Sequence, residues 1–295
     1  QMCIRDRIYG ERFGPEAARR KAAEYAAPEL FELHLLDVFL PEGTPPEQRL
    51  TGEASPMAVF EEAGLAGCQT NLEDQAHGTG LLVRASKFGS VSHQHADQGS
   101  FALIRNNQVL ITPSGYFGRC WGTSHHRNWT KTTKAHNCIL VNGIGQETDS
   151  FRAAGRFTDW GHEENKSFYL RLDLREAYPM LEFYERSFAL TEKELIVRDR
   201  IRAKEGCEIS WLLHMLDRPA LQEDGTLVLE HAGQRAVVIP DSSFIGKPEI
   251  SDRFGTEVNE GVDEAFWVSM PKQYHVTFRT AIQKEHRIEV RIRIG

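Results

Sequence analysis

The chain has 295 residues, 40% of them hydrophobic, and contains no apolar run long enough to cross a membrane. Its 42 acidic and 35 basic residues give a formal charge of −7, the wrong sign for a nucleic-acid binder, and no nucleic-acid signature occurs. Five scattered cysteines (Cys3, Cys68, Cys120, Cys138 and Cys207) form no CxxC, which argues against a disulfide framework or a cysteine zinc site and leaves the compartment open.

The sequence begins with Gln1 ahead of Met2 and lacks a signal-peptide apolar core, so it is expected to be a piece of a longer protein. Residues 15–40 are helical in character, with Pro28 dividing PEAARRKAAEYAA from ELFELHLLDVFL. Leu30, Phe31, Leu33 and Leu36 fall at helical spacing and need a partner surface. Residues 41–56 read as a linker by their proline, glycine and serine content. The expected organisation is therefore a helical segment with its linker over 1–56 and a second domain over 57–295.

Beyond Met57 the helical pattern gives way to short alternating or β-branched runs. They fall at 80–85, 138–141, 168–174, 181–190, 194–202, 208–214, 226–231, 236–239, 264–269, 274–282 and 287–294. Residues 101–104 and 109–111 read as the arms of a hairpin, because Asn106 and Asn107 tolerate the positive φ of a tight turn. Runs such as Arg287-Ile288-Glu289-Val290-Arg291-Ile292-Arg293 alternate polar and apolar residues, and no internal repeat is present. The predicted fold is mainly β: a large antiparallel β-sandwich preceded by a short helical segment.

The chemistry concentrates between Ser90 and Gln146. No Asp or Glu occurs in the 49 residues from Gln98 to Gln146, where average density would place roughly seven. Arg105, Arg119, Arg127, Lys131 and Lys134 remain there, with His125, His126 and His136 among them. Such a local positive field on an acidic body attracts carboxylates or sulfates; the bland alternative is a solvated loop. His93 and His95 share a face with Asp97 if 91–97 is extended, whereas on a helix the two histidines would lie about 200° apart. An HxH pair is a metal or catalytic signal, and two structural histidines on a half-exposed strand are the competing reading. His214, in WLLH, reads as a core histidine on a strand. Trp129 beside His125 and His126 is either core or a stacking surface for a sugar ring.

GSVSHQHADQGSF, PSGYF, HHRNWTKTTKAHN and ILVNGIGQ, in that order, resemble the C-terminal β-sandwich of the heparinase II/III-like polysaccharide lyases, from about Val59 to at least His214. The resemblance implies that an α/α toroid precedes the sandwich and that the helices before Met57 are its last turns. It implies cleavage of acidic polysaccharide, of heparan sulfate or alginate type, by β-elimination; relatives include uronate epimerases. His93 is then the active-site histidine beside the substrate carboxylate, and His95 and His136 hold a zinc-type ion. Asn137 supplies an amide donor, Tyr116 is a candidate cleft residue, and Arg127 and Lys134 are candidate partners of substrate anions.

Two departures from the family pattern stand out. Thr112 occupies the step where the family places a carboxylate metal ligand, so Asp97 or water would have to complete the site. The tyrosine and histidine that act as acid and base normally sit in the toroid, and neither Tyr9 nor Tyr25 lies in a matching motif. The expected partners are an acidic polysaccharide and a missing N-terminal toroid of the same protein, with no nucleic acid and no membrane span. The residues leave the compartment open, and for a lyase of this kind the resemblance favours the periplasm or secretion over the cytoplasm. Two other readings stand beside it: a non-catalytic carbohydrate-binding or scaffold sandwich, and a cupin-like metalloenzyme. The cupin pattern wants a Glu a few residues after the HxH pair, where Gly99 and Ser100 stand.

Overall fold

The first hairpins form a meander. It runs through β1 (Met57–Phe60), β2 (Leu65–Gln69), β3 (Thr79–Arg84), β4 (Phe101–Arg105) and β5 (Gln108–Ile111), each antiparallel to the next. The structure is a computed structural model and describes residues 55–72, 74–114, 122–163, 167–254 and 273–295. The helical segment and linker expected before residue 55, and the run at 264–269, lie outside them.

After β6 (Ile139–Val141), a second meander is built from β7 (Arg156–His162), β8 (Phe168–Asp173), β9 (Leu181–Leu190) and β10 (Glu194–Cys207). Next come β11 (Ile209–Met215), β12 (Ala220–Leu221), β13 (Leu227–His231), β14 (Gln234–Ile239) and β15 (Glu249–Ser251). The chain closes on β16 (Tyr274–Arg279) and β17 (Gln283–Ile294). An eight-stranded sheet runs β12-β13-β14-β17-β10-β9-β8-β7, and a four-stranded sheet runs β15-β16-β11-β6. All pairings are antiparallel among the described strands. The mainly β, antiparallel architecture read from the sequence is the one observed.

Period-2 patterning explains which face is buried. On β10, Leu195, Val197 and Ile201 turn inward, while Arg198 and Arg202 turn outward to Glu289 at 2.6 Å and Glu182 at 3.1 Å. On β17, Ile288, Val290 and Ile292 are buried between outward arginines, as the alternation requires. Phe101 of β4 joins the three sheets, with ring centroids 5.4 Å from Phe188 of β9 and 6.4 Å from Trp211 of β11. Burying each such side chain contributes roughly 1.5–3 kcal/mol. The hairpin after β4 turns as expected: Asn106 and Asn107 have φ of 50° and 60° between paired Arg105 and Gln108.

The run at 91–97 is not a strand, contrary to the sequence reading. Ser92 has φ of 58°, Gln94 N donates back to Val91 O at 3.1 Å, and Ala96 N donates to Lys131 O at 2.9 Å. The segment has no strand partner among the described residues, so its polar backbone is satisfied by turns and by a neighbouring loop. The sequence also missed β1, β2, β7, β12 and β15. In β7, RFTDWGH, only Phe157 is buried, so the alternation is too faint to see.

Candidate active site

Two loops make the site: 85–100, between β3 and β4, and 122–138, which leads into β6. The first is closed at its base, where Gly99 N donates to Arg84 O at 2.8 Å and Arg84 N to Ser100 O at 2.9 Å. Gly99 has φ of +85°, and a Cβ there would lie 2.5 Å from Leu174 Cδ1, so the position admits only glycine without rearrangement. Within this loop Gln98 binds Ser86 N (2.6 Å) and Gly89 O (3.1 Å) through its side chain.

The two loops are held to each other by a buried ion pair. Arg186 of β9 and Asp199 of β10 are cross-strand partners, bonded bidentately at 2.7 and 2.9 Å with neither side chain exposed. Tyr184 Oη and Trp211 Nε1 also donate to Asp199, at 3.1 and 2.9 Å. The remaining nitrogen of Arg186 donates to Gly99 O at 2.9 Å and to Asn137 O at 2.8 Å. One guanidinium thus pins the loop carrying His95 and the loop carrying His136.

His95, Asp97 and His136 converge, with one ligand-type atom of each within 4.8 Å of the others. His136 comes after a short 3₁₀ turn, Thr133–Ala135, and its Nε2 lies 3.1 Å from Thr130 O. A carbonyl accepts, so Nε2 carries the proton and Nδ1 presents its lone pair. That Nδ1 is buried and has no hydrogen-bond partner among the described residues. A ligating histidine has this arrangement. Burial lowers both imidazoles to about 4, aided at His95 by His136 and at His136 by Arg84, so both are neutral at neutral pH. Burial raises the Asp97 carboxyl, and Arg84, whose Nε lies 3.4 Å away, pulls it back. Two neutral imidazoles and a carboxylate are a donor set suited to a zinc-type ion. Thr112 offers no carboxylate, and its hydroxyl donates to Pro113 O at 3.3 Å. The carboxylate comes from the HxHxD run itself.

His93, two residues before His95, is exposed and close enough to His126 to oppose its protonation. His126 opens a π-helical turn, His126–Thr130, and burial is the main cause of its lowered basicity, with Lys131 and Arg127 adding to it. Behind His136 stands a histidine pair that sequence reasoning saw only in part. His214 is buried, as expected; its Nε2 is 3.1 Å from His136 O and its Nδ1 is 2.8 Å from His275 Nδ1. His214 therefore donates to the carbonyl and accepts from His275. The two are directly opposed on β11 and β16, a cross-strand register that no local spacing reveals. Trp129 packs 4.8 Å from His275, and its indole donates to Ser114 Oγ at 2.8 Å, which places it in the core.

Other expectations are corrected. Asn137 is fully buried; its amide donates to Phe101 O at 2.7 Å and its oxygen accepts His214 N at 2.7 Å, so it serves the scaffold and not a substrate. Lys131 is buried against Asp149, and Arg105 sits at the far end of β4, bonded to Thr79 Oγ1 at 3.0 Å and facing Glu192 at 3.8 Å. The basic residues of the acid-free window do not form one face. Arg127 and Lys134 are exposed. Tyr116 and Arg119 lie outside the described residues.

The heparinase II/III-like, C-terminal family model matches residues 52–276. Among solved structures, heparan sulfate lyase HepC from Pedobacter heparinus superposes with a TM-score of 0.69 at 12% identity, over 99% of this chain and 41% of that one. The heparinase III BT4657 gene product gives 0.65 at 16% identity, over 94% and 40%. A further heparinase III gives 0.61 at 13%, over 81% and 36%. No curated protein matches. The chain spans about two fifths of the length of the first two of these structures, and at such identities the likeness is one of fold. The family match over most of its length, on the sheets that carry the His95–Asp97–His136 group, places this chain in the heparinase II/III-like C-terminal family.

Proposed function

We propose that this chain is the β-sandwich half of a polysaccharide lyase that cleaves uronic-acid-containing glycans by β-elimination. The observation that carries the reading is an exposed His93 two residues before His95, whose ring converges with Asp97 and His136. In the reaction a base removes the C5 proton of a uronate, the C4–O bond breaks as a C4=C5 double bond forms, and an acid protonates the departing oxygen. Charge builds on the uronate carboxylate as C5–H breaks, and His93 would donate a hydrogen bond to it. Arg127 and Lys134 are candidate partners for further anionic groups.

His95, Asp97 and His136 would hold a zinc-type ion. When bound, it supplies fixed positive charge and cross-links the two loops. The base and the leaving-group acid are assigned to a toroid domain outside this chain, which accords with the partial coverage of the lyase structures. The cupin-like reading loses its ground with the family membership.

The test compares the 295-residue chain with the longer natural protein on alginate, heparan sulfate and chondroitin, tracking the ultraviolet absorbance of the unsaturated uronate product. The expected result is product from the longer protein and none from the chain alone. Turnover by the chain alone would require an acid and a base among its own residues. Substrate consumption without the chromophore would point to epimerisation instead.

A further inference from the structure

A groove on the sandwich remains outside the roles assigned so far, apart from Lys134. A cavity of about 690 Å³ lies between residues 132–134, 144–148 and 179–180. It meets a second, of about 640 Å³, at Glu147 and Pro179, where Phe151, Arg152, Arg175 and Lys204 form the walls. Thr133 of this groove donates to Ala96 O at 2.9 Å, between His95 and Asp97, so the groove adjoins the candidate active site.

Unpaired cations cluster along this groove. Lys134, Arg152, Arg175 and Lys204 are all exposed, and none has an ion-pair partner among the described residues. Elsewhere the surface arginines are typically neutralised, as Arg156 is by Glu176 at 2.9 Å and Arg202 by Glu182 at 3.1 Å. Of the acids in the groove, Glu176 is paired with Arg156, while Glu147 accepts from Ser150 Oγ at 2.8 Å and keeps its charge, so the four cations outnumber one uncompensated carboxylate. Four such cations on a chain of net charge −7 make a local field for a polyanion.

The apolar side of the groove is held open. Phe151 is 71% exposed and Ile144 59% exposed, yet the backbone beneath Phe151 is clamped. Ser90 N donates to Ser150 O at 2.9 Å, Ser90 Oγ donates to Glu147 O at 2.6 Å, and Ser150 N donates to Ser90 Oγ at 3.2 Å. Gly89, at φ +69°, lets the two segments touch: a Cβ there would lie 2.0 Å from Ser150 O. A large aromatic ring is thus displayed to solvent on a fixed turn, which suits the apolar face of a sugar ring.

We infer that this groove binds the stretch of an acidic glycan that extends away from His93. Its carboxylates or sulfates pair with Lys134, Arg152, Arg175 and Lys204, and one sugar stacks on Phe151. The assignment rests on the lyase reading for the class of ligand but makes its own claim about where a long chain lies.

The test is calorimetric titration of the 295-residue chain with an oligouronate hexamer, the matching dimer and a neutral hexasaccharide. The triple variant Arg152→Glu, Arg175→Glu, Lys204→Glu should weaken hexamer binding about tenfold or more, while dimer affinity changes less than about twofold. Phe151→Ala should weaken the hexamer about fivefold, and hexamer affinity should fall as salt rises. All four positions are exposed, and an unchanged melting temperature confirms that each variant folds. Hexamer binding that survives the triple variant but is lost in His93→Ala overturns the groove and leaves the lyase reading standing. Failure of the unaltered chain to bind any oligouronate overturns the shared ligand class, and the groove assignment with it.

Discussion

Gln146 takes both backbone polar groups of Gln98 onto one side-chain amide: its Oε1 accepts Gln98 N at 2.9 Å and its Nε2 donates to Gln98 O at 2.8 Å. The same Nε2 donates to Tyr178 Oη at 3.0 Å, and the phenol donates to Ile139 O at 3.0 Å. The HADQG and GIGQ stretches are therefore two halves of one latch. Both glutamines fix the loop that carries His95.

Replacing Gln146 by Leu strips the partner from the buried Gln98 N–H and leaves Gln98 O only the weak Cys138 thiol donor at 3.5 Å. The expected loss is about 2–5 kcal/mol of stability, since each group that loses its partner costs roughly 1–3. Urea denaturation should show a lower midpoint with an unchanged slope. A midpoint equal to the parent's would show that the latch contributes nothing.

Metal affinity should obey the geometry and not the family position. His136→Ala, His95→Ala and Asp97→Asn should each weaken zinc binding about 10-fold or more, because each removes or neutralises one of three donors. Thr112→Ala should leave it unchanged. Zinc competition with a chromophoric chelator measures all four. Loss in Thr112→Ala with none in Asp97→Asn would reverse the assignment.

In the longer protein, His93→Ala should lower kcat by about 10²-fold without unfolding the chain, because His93 is exposed and its site acts at the transition state. A variant that keeps near-parental turnover on the best substrate would remove His93 from the mechanism.

Acid should destabilise the fold through its buried histidines. Burial, helped by His126, lowers His125 to about 4, and burial, helped by His125 and opposed by Asp252, lowers His275 to about 4. The unfolded value is about 6.5. The folded pKa lies below the unfolded one, so the unfolded chain binds protons first as pH falls. The stabilisation is whole above pH about 6.5 and lost on descent to about 4, on the order of a few kcal/mol for each histidine. Thermal melts between pH 7.5 and 4 measure it. A melting temperature flat across that window would contradict the buried neutral state.

Much of the sandwich was legible because its strands are long and bury one face. In β17 the residues Ile288, Val290 and Ile292 announce both the strand and its inner side. Asn106 and Asn107 announce a turn, since few residues accept positive φ. The site was legible only in its residue types. His95, Asp97 and His136 do converge, but on a loop whose shape is dictated by Lys131, Gln146 and Arg186, all distant in sequence. For the same reason Lys131 and Arg105 looked available until their partners Asp149 and Glu192, both outside the acid-free window, came into view. Cross-strand partners such as His214 and His275 are invisible to any local pattern.

The guanidinium of Arg186 sits beneath both loops and has a consequence for how such sandwiches diverge. Its charge is satisfied only by Asp199, and its last nitrogen only by the two loop carbonyls at Gly99 and Asn137, among the described residues. Removing one charge alone strands the other in the core, at a cost of roughly 3–5 kcal/mol. Positions 186 and 199 should therefore be inherited as a pair, changing together or not at all. A histidine loop grafted from this chain onto another sandwich should hold its shape only where that pair travels with it.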